Sequence, residues 1–459
     1  MAAPAPSAPS LRAWGLPVPN PCVSFWQQTT RSFPYLHANR DAAVPSGSVR
    51  YAVIGSGIAG ALTAFKLLES GVAPHEVVIL EAREAASGAS SRNAGHVRPD
   101  AFRGFAPYAR LHGASQALKI LASERETLAA VAAFVSEHGV ACDFAPATTL
   151  DVCLTEEFAG FLADSYAAYR EAGGDVSGIR VHATAEAARA RSRVRGALAA
   201  YEWDAGSSHP AKLAQWLLRS CVERGVALFT HYAAAHLLPR LAPFLTPNRA
   251  QAHAVIPPAR LAGADTLRST MSLRHGLKHF YSVAQRPADG IVILGSSRAN
   301  PNLSRETMAG VVSADDSKGF DVEICDDALG EFWNLLAAED GEEVLVQNGQ
   351  VVGKGEEGAA AVKPSSLRHG EGLLHVWTGI IGMTTDSCPF IGRVPGTEGQ
   401  WICAGFNGHG MARIFTCAPG LVKLIRGGQW NDTGLPECFE LTEERLEKLK
   451  GLSEQAGVL

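Results

Sequence analysis

An apolar β-type run, a glycine-rich turn opening a helix, and a second apolar run ending in an acid follow one another within residues 50–81. Together they predict an α/β fold carrying a Rossmann-type dinucleotide-binding unit. Arg50–Ile54 is the first run. In the stretch Ala61–Ser70, Leu62, Phe65 and Leu68 fall on one helical face, and Gly71 supplies the stop. Val77–Leu80 is continuously apolar, as a strand covered on both faces requires, and it ends at Glu81.

Beyond this unit, Ala114–His138 has helical composition, short alternating runs lie around Thr148–Leu154 and Ala197–Trp203, and Pro210–Arg224 is again helical. Two β-rich runs between Arg274 and Leu294 flank the turn Pro287–Gly290 and read as a hairpin, which predicts an α+β substrate domain built on an antiparallel sheet. Glu339–Ser366, rich in Gly and Glu, reads as an exposed excursion. The glycine-punctuated runs His375–Gly382 and Trp401–Phe406 precede a closing helix, Ala418–Ile425, and a charged terminal helix, Thr442–Lys450. The two domains are therefore expected to interleave. The nucleotide-binding part takes residues 49–140, 206–245 and 372–430, and the substrate part takes 141–205 and 246–371. An extension at 1–48 and a helix at 431–459 flank them.

With 459 residues, 46% of them hydrophobic and 19% charged, the chain has the composition of a globular protein, and no apolar run approaches the roughly 18 residues of a membrane span. Net charge is −5, and the basic residues are scattered, so the sequence offers no footprint for nucleic acid. The nine cysteines (22, 142, 153, 221, 325, 388, 403, 417 and 438) are widely spaced and read as reduced thiols of a cytoplasmic protein. No Cys or His pair shows metal-ligand spacing with partners to complete a site, and His275 with His279 lacks a third ligand, so no metal is expected. Pro4, Pro6, Pro9, Pro17, Pro19 and Pro21 break any signal or transit helix and predict a disordered start.

Gly55, Gly57 and Gly60 stand in G-x-G-x-x-G order, which lets main chain approach a pyrophosphate at a helix N-terminus, with Ser56, Ile58 and Ala59 between them. Glu81, with Ala82 and Arg83 after it, is placed to accept hydrogen bonds from both ribose hydroxyls, and its charge disfavours a 2′-phosphate. In the block Arg83–His96, the small residues Gly88, Ser90, Ser91 and Gly95 let backbone lie against a flat ring system. Ser90, Arg92 and Asn93 are candidates for phosphate oxygens or ring heteroatoms. This block favours FAD over NAD.

GSGIAG, E-A-R and SGASSRNAGH resemble the amino-terminal signature of the D-amino acid oxidase-like family of FAD-dependent oxidoreductases. The far carboxyl-terminal signature of that family is matched by Trp377–Gly392 and Cys403–Met411. The likeness runs from about Val23 to the end and is greatest to fungal-type amine oxidases. The resemblance implies non-covalent FAD, oxidation of an amine or amino acid at its C–N bond, and O2 or another electron acceptor. It implies that Gly405, Gly408, His409, Gly410 and Met411 face the flavin ring, and that Thr384, Asp386 and Pro389 shape the wall beside it.

Against the family pattern, Ile380, Ile381 and Gly382 stand where an arginine clamps a substrate carboxylate, which leaves Arg98 and Arg413 as alternative donors. Gly382 also stands where a cysteine holds flavin covalently, and no lysine occupies Ile291–Leu294, where relatives activate oxygen. Val226–Thr230 is joined directly to Ala233–Leu238, without an intervening meander and strand, which predicts an unpaired edge in the nucleotide-binding sheet. Phe280, Tyr281 and Trp377 are expected to wall the substrate, Tyr281 orienting its nitrogen. Of His96, His275, Lys278 and His409, which can tune protonation, His96 and His409 are the catalytic candidates. Oxidation of a hydroxyl, or a shortened variant without flavin, are the alternatives.

Overall fold

Three parallel strands, Tyr51–Ile54, Val77–Leu80 and Ala227–Phe229, lie side by side in that order. The computed structural model describes residues 17–44, 47–234, 239–296, 299–338, 344–353 and 370–456. Helix Ile58–Glu69 follows the first strand, beginning three residues earlier than the apolar stripe alone indicates, because Gly57 already serves as its N-cap. Its Leu62, Phe65 and Leu68 are buried with Leu213 and Leu217 of helix Pro210–Glu223 and Val422 of helix Ile414–Ile425. One β-α-β unit is thus held by two helices that arrive much later in the chain.

The expected open edge is present. Among the described residues Tyr51–Ile54 pairs only with Val77–Leu80, and the side chain row of Ala52 and Ile54 is exposed, Ile54 to 48%. The run Trp401–Ala404 pairs instead with Phe390–Arg393 in a separate two-stranded sheet. No strand occurs among the described residues from Thr230 to Phe244, and part of the Ala233–Leu238 join lies outside them.

The second sheet has nine strands. Its path runs Gly372–Thr384, Leu245–Ile256, Val292–Gly295, Phe280–Gln285, Ser269–Arg274, Ala145–Cys153, Ala199–Ser207 and His96–Val97, with Arg180–His182 also on Ala199–Ser207. Every neighbouring pair is antiparallel except Ser269–Arg274 with Ala145–Cys153. The predicted hairpin about Pro287–Gly290 is seen in Phe280–Gln285 and Val292–Gly295. Alternation sorts the two faces. Leu150, Val152, Leu273, Tyr281, Val283 and Leu294 pack with Phe332 and Trp333 on one side, whereas Ala252, Ala254, Ile293 and Trp377 pack with Phe25 and Trp26 on the other. Of the excursion Glu339–Ser366, the described part is a short hairpin, Val344–Gln347 with Gln350–Gly353.

The predicted disordered start is corrected for residues 17–44; Pro4, Pro6 and Pro9 lie outside the described residues. Pro17, Pro19 and Pro21 precede a capped helical turn rather than interrupting one. Ser24 Oγ accepts from Gln27 N at 3.1 Å, and Gln27 Oε1 accepts from Ser24 N at 2.8 Å, a reciprocal capping box over Phe25–Gln28. The turn is anchored by burial of Phe25 and Trp26 and by Trp26 Nε1, which donates to Asn93 O at 2.6 Å. Trp26→Ala removes a fully buried indole and strands that carbonyl. We expect a loss of about 3–5 kcal/mol in urea unfolding, with a smaller loss for Trp26→Phe; equal losses in the two variants would contradict this packing.

Candidate active site

The glycine turn is built by close approach. A Cβ on Gly60 would lie 2.0 Å from Gly55 O and 3.2 Å from Val53 Cγ1, so only glycine lets the helix rest on the strand end. At the helix N-terminus, Ile58 N donates to Ser90 Oγ at 2.8 Å. A hydroxyl oxygen thus stands where the free amides and the positive helix end would hold a phosphate oxygen. Glu81 Oε2 accepts from Ser56 N at 2.9 Å and Ser56 Oγ at 2.6 Å, and Oε1 accepts from Arg83 N at 3.0 Å. These bonds fix the carboxylate beside the turn and leave it lone pairs for further donors such as ribose hydroxyls. The donor and acceptor set fits an adenine dinucleotide.

Several expected cofactor contacts are engaged elsewhere through their side chains. Arg83 Nη1 donates to both oxygens of Asp316 at 2.9 and 3.0 Å, and Arg92 Nε lies 3.5 Å from the same carboxylate. Arg92 also donates to Ser87 O at 2.8 Å, Thr378 O at 2.9 Å and Cys22 O at 2.5 Å. Asn93 folds onto its own loop, donating to Ala89 O and Ser90 O and accepting from Gly95 N. Ser91 Oγ donates to Ala86 O. The side chains of Arg92 and Asn93 thus have partners of their own, the Arg92 guanidinium buried and the Asn93 amide partly exposed on its loop, and the loop's main chain is left to meet a ligand.

The three motif blocks meet on one strand. Trp377 Nε1 donates to Arg92 O at 2.8 Å, so the loop lies on Gly372–Thr384. At the other end of that strand, Asn407 N donates to Gly382 O, while Asn407 Oδ1 accepts from Thr384 N at 2.8 Å and its Nδ2 donates to Thr384 Oγ1 at 2.8 Å. Gly405, at φ 76°, would bring a Cβ to 2.7 Å from Thr384 Cγ2. Gly408 and His409 continue this turn, Gly410–Ala412 is a single 3-10 turn, Met411 packs on the nucleotide-side core, and helix Ile414–Ile425 then rests on Ile58–Glu69. Asn407 lies inside the matched signature, and its φ of 55° marks the turn that sequence reasoning left to the glycines.

The other candidates divide. His409 Nδ1 lies 3.3 Å from the Glu124 carboxylate. Burial pushes Glu124 up, but His409 and Arg413 outweigh it and hold the acid at about 2. Arg413 is fully buried, donating to Glu124 Oε1 at 2.8 Å, Tyr108 OH at 2.8 Å and Ser387 O at 3.1 Å. Arg98 donates to Thr149 Oγ1 at 2.7 Å and Asp151 Oδ1 at 2.8 Å, and Asp151 also binds Arg103 and Arg274. Both alternative carboxylate clamps are therefore structural ion pairs. His96 sits on the short strand beside Ser207, its Nε2 buried without a hydrogen-bond partner, and burial followed by the Arg98 charge lowers it to about 3. It is a neutral imidazole.

Tyr281 is corrected outright. The pleat turns it to the sheet face opposite Trp377, where its hydroxyl donates to Asp327 Oδ2 at 2.6 Å and accepts from Asn300 Nδ2 at 2.9 Å. Phe280 is covered by the Arg274 guanidinium at 4.3 Å. Asp386 faces the terminal helix, where Arg445 Nε and Nη2 bind its two oxygens, and Pro389 O accepts from the same guanidinium. His275 pairs with Glu331 and stacks on His279. On the Trp377 face, beside Gly95, a cavity of about 320 Å³ lies among Trp26, Phe144, Ser208, His209, Arg286 and Ile293. Trp26, His209 and Arg286 were not singled out from sequence, because none belongs to a recognisable spacing.

Burial, with nearby cations for two of them, holds His96 and His209 at about 3 and His253 at about 4, against 6.5 for an exposed imidazole. The unfolded chain therefore takes up these protons first on acidification. Their contribution is complete above pH 6.5 and is lost as pH falls toward 4, at up to about 1.4 kcal/mol per pH unit for each group. Urea unfolding between pH 7 and 4.5 should show this decline, and His253→Gln should make it shallower; stability that is flat or rising toward pH 5 would contradict it.

Comparison with known proteins agrees with this geometry. None of the curated proteins compared with the chain matches it in sequence. Among solved structures, glycine oxidase from Geobacillus kaustophilus superimposes with a TM-score of 0.59 at 18% identity, covering 86% of this chain and 98% of that one. L-proline dehydrogenase from P. horikoshii gives 0.59 at 17%, covering 88% and 99%. L-alpha-glycerophosphate oxidase from Mycoplasma pneumoniae, with FAD bound, gives 0.55 at 13%, covering 85% and 98%. The sequence profile of the FAD dependent oxidoreductases, the DAO family, matches residues 50–424. The chain belongs to that family of FAD-dependent oxidoreductases.

Proposed function

We propose that this protein oxidises the C–N bond of an amine to an imine on non-covalently bound FAD, with O2 or another acceptor taking the electrons onward. The observation that carries the reading is the convergence of the flavin loop, the Trp377–Gly392 block and the late glycine turn on one strand, next to a cavity on the same sheet face. FAD supplies the two-electron acceptor. The chain's own groups do the rest. The helix end at Ile58, where Ser90 Oγ now accepts from the amide, and the Glu81 carboxylate would hold the nucleotide, and the loop between Gly88 and Gly95 would offer main chain to the ring. The cavity beside Gly95 takes the carbon skeleton among Trp26, Phe144 and Ile293. His409, paired with Glu124, is proposed to act on the substrate's proton inventory, and His96, whose charged form burial disfavours, to accept a hydrogen bond as a neutral imidazole without taking up a proton. Arg98 and Arg413 are both committed to buried carboxylates, whereas Arg286 lines the cavity with its Nη1 buried and without a hydrogen-bond partner, so the proposed substrate class includes amino acids as well as simple amines.

A hydroxyl substrate is the second reading, supported by the glycerophosphate oxidase that shares the fold. Anaerobic titration of the yellow protein with primary, secondary and α-carboxylated amines, and with hydroxy acids, separates the two. Bleaching by simple or α-carboxylated amines is expected, and bleaching only by hydroxy compounds would replace the first reading with the second. Protein purified without flavin absorbance and unable to take up added FAD would sink both. Gly60→Val, which forces a side chain against Gly55 O, is expected to abolish flavin retention, read from the absorbance released on denaturation.

A further inference from the structure

Far from the nucleotide turn in sequence, three soft or borderline ligands come together: His112 at the end of helix Phe105–His112, Cys388 in the turn after Gly372–Thr384, and Cys438 in the 3-10 turn Glu437–Phe439. Cys388 Sγ is 3.3 Å from His112 Nε2 and 3.9 Å from Cys438 Sγ, and the three ligand atoms all lie within 4.8 Å of one another. A tetrahedral zinc ion with bonds of about 2.3 Å to sulfur and 2.0–2.1 Å to nitrogen spaces its ligands about 3.8 Å apart for S and S and about 3.5 Å for S and N. The two separations from Cys388, 3.3 Å to His112 Nε2 and 3.9 Å to Cys438 Sγ, are close to those edges, and the third, within 4.8 Å, closes by a small shift of the partly exposed His112 or Cys438. We infer that His112, Cys388 and Cys438 form a structural binding site for a divalent thiophilic cation, zinc above all, that joins the carboxyl-terminal segment to the turn beside the flavin signature.

The surroundings are built to hold such a site. Arg445 donates to both Asp386 oxygens, to Cys388 O at 2.9 Å and to Pro389 O at 2.9 Å, and Arg413 donates to Ser387 O, so the turn carrying Cys388 is pinned from two sides. Cys438 N donates to Gln116 Oε1 at 3.2 Å, and Lys119 pairs with Glu437 next to it. Asp386 O, 2.9 Å from His112 Nε2, offers an oxygen for the fourth position. Cys388 is buried, but Cys438 and His112 are partly exposed, which gives an ion a way in. Binding forms two sulfur–metal bonds and one nitrogen–metal bond and releases the two thiol protons to solvent. A disulfide is the competing fate of the two cysteines. It requires the sulfurs to close from 3.9 Å to about 2.05 Å, and it gives His112 no part.

The full-length protein, isolated without chelator and measured for zinc by plasma mass spectrometry, should carry one ion per chain. The metal-free protein titrated with Co2+ should develop the visible bands of a tetrahedral ion and a thiolate-to-cobalt charge-transfer band in the near ultraviolet, saturating at one equivalent. Cys438→Ser, at a partly exposed position where serine is tolerated, should lose both signals while keeping its far-ultraviolet circular dichroism, and Cys142→Ser should keep them. Native-like protein that neither carries zinc nor binds cobalt overturns the inference, as does a Cys388–Cys438 disulfide found by peptide mass mapping of freshly isolated material. These readouts do not involve flavin, so they stand or fall apart from the proposed reaction.

Discussion

Arg83 and Arg92 share the buried carboxylate of Asp316, and the placement of the flavin loop follows from that contact. Two cations on one acid leave donors over. Arg92 spends its remaining donors on Ser87 O, Thr378 O and Cys22 O, so a single side chain binds the loop, the long strand of the large sheet and the amino-terminal turn. Removing one member of such a buried set costs about 3–5 kcal/mol, because the others remain buried without a partner. The loop is therefore rigid for electrostatic reasons, and its small residues are free to present main chain.

The same arrangement recurs twice around the substrate side. Asp151 gathers Arg98, Arg103 and Arg274, and although burial disfavours its charge, the three guanidinium groups keep it ionised. Arg274, buried among like charges, is lowered to about 9. Glu124 gathers Arg413 and His409 and caps Asp100 N. In both centres the arginines are taken up by the buried carboxylate. The excess cation near Asp151 is also part of what keeps His96 neutral.

Local signals in the chain made the β-α-β unit readable: Val77–Leu80 ends at Glu81 as the apolar run indicates, and Gly60 is where close approach demands it. An open edge in the nucleotide-binding sheet was also readable, from the short join after Thr230, and among the described residues it falls at Tyr51–Ile54. What stayed hidden depended on partners distant in sequence. Arg92 and Arg413 look like ligands for anions until Asp316 and Glu124 are placed against them. Tyr281 looks like an active-site phenol until strand parity sets it against Asp327. Residues Phe25 and Trp26 follow a proline-rich start that suggests disorder, and only the capping box of Ser24 and Gln27, with a sheet face needing cover, orders them. His112, Cys388 and Cys438 have no spacing to notice at all.

The bond between Cys22 and Thr378 joins positions 356 apart. During translation, the amino-terminal turn leaves the ribosome first, yet its partners on Gly372–Thr384 are made near the end of synthesis. Leu245–Ile256, the long strand that pairs with Gly372–Thr384, must likewise wait with one side uncovered. Until that strand arrives, Phe25, Trp26, Ala252 and Ala254 present an apolar surface to solvent or to any holdase that meets the nascent chain. Loops of this length close slowly and late, and the nucleotide-binding unit waits as well, because helix Ile414–Ile425, which covers its opening helix, is made later still.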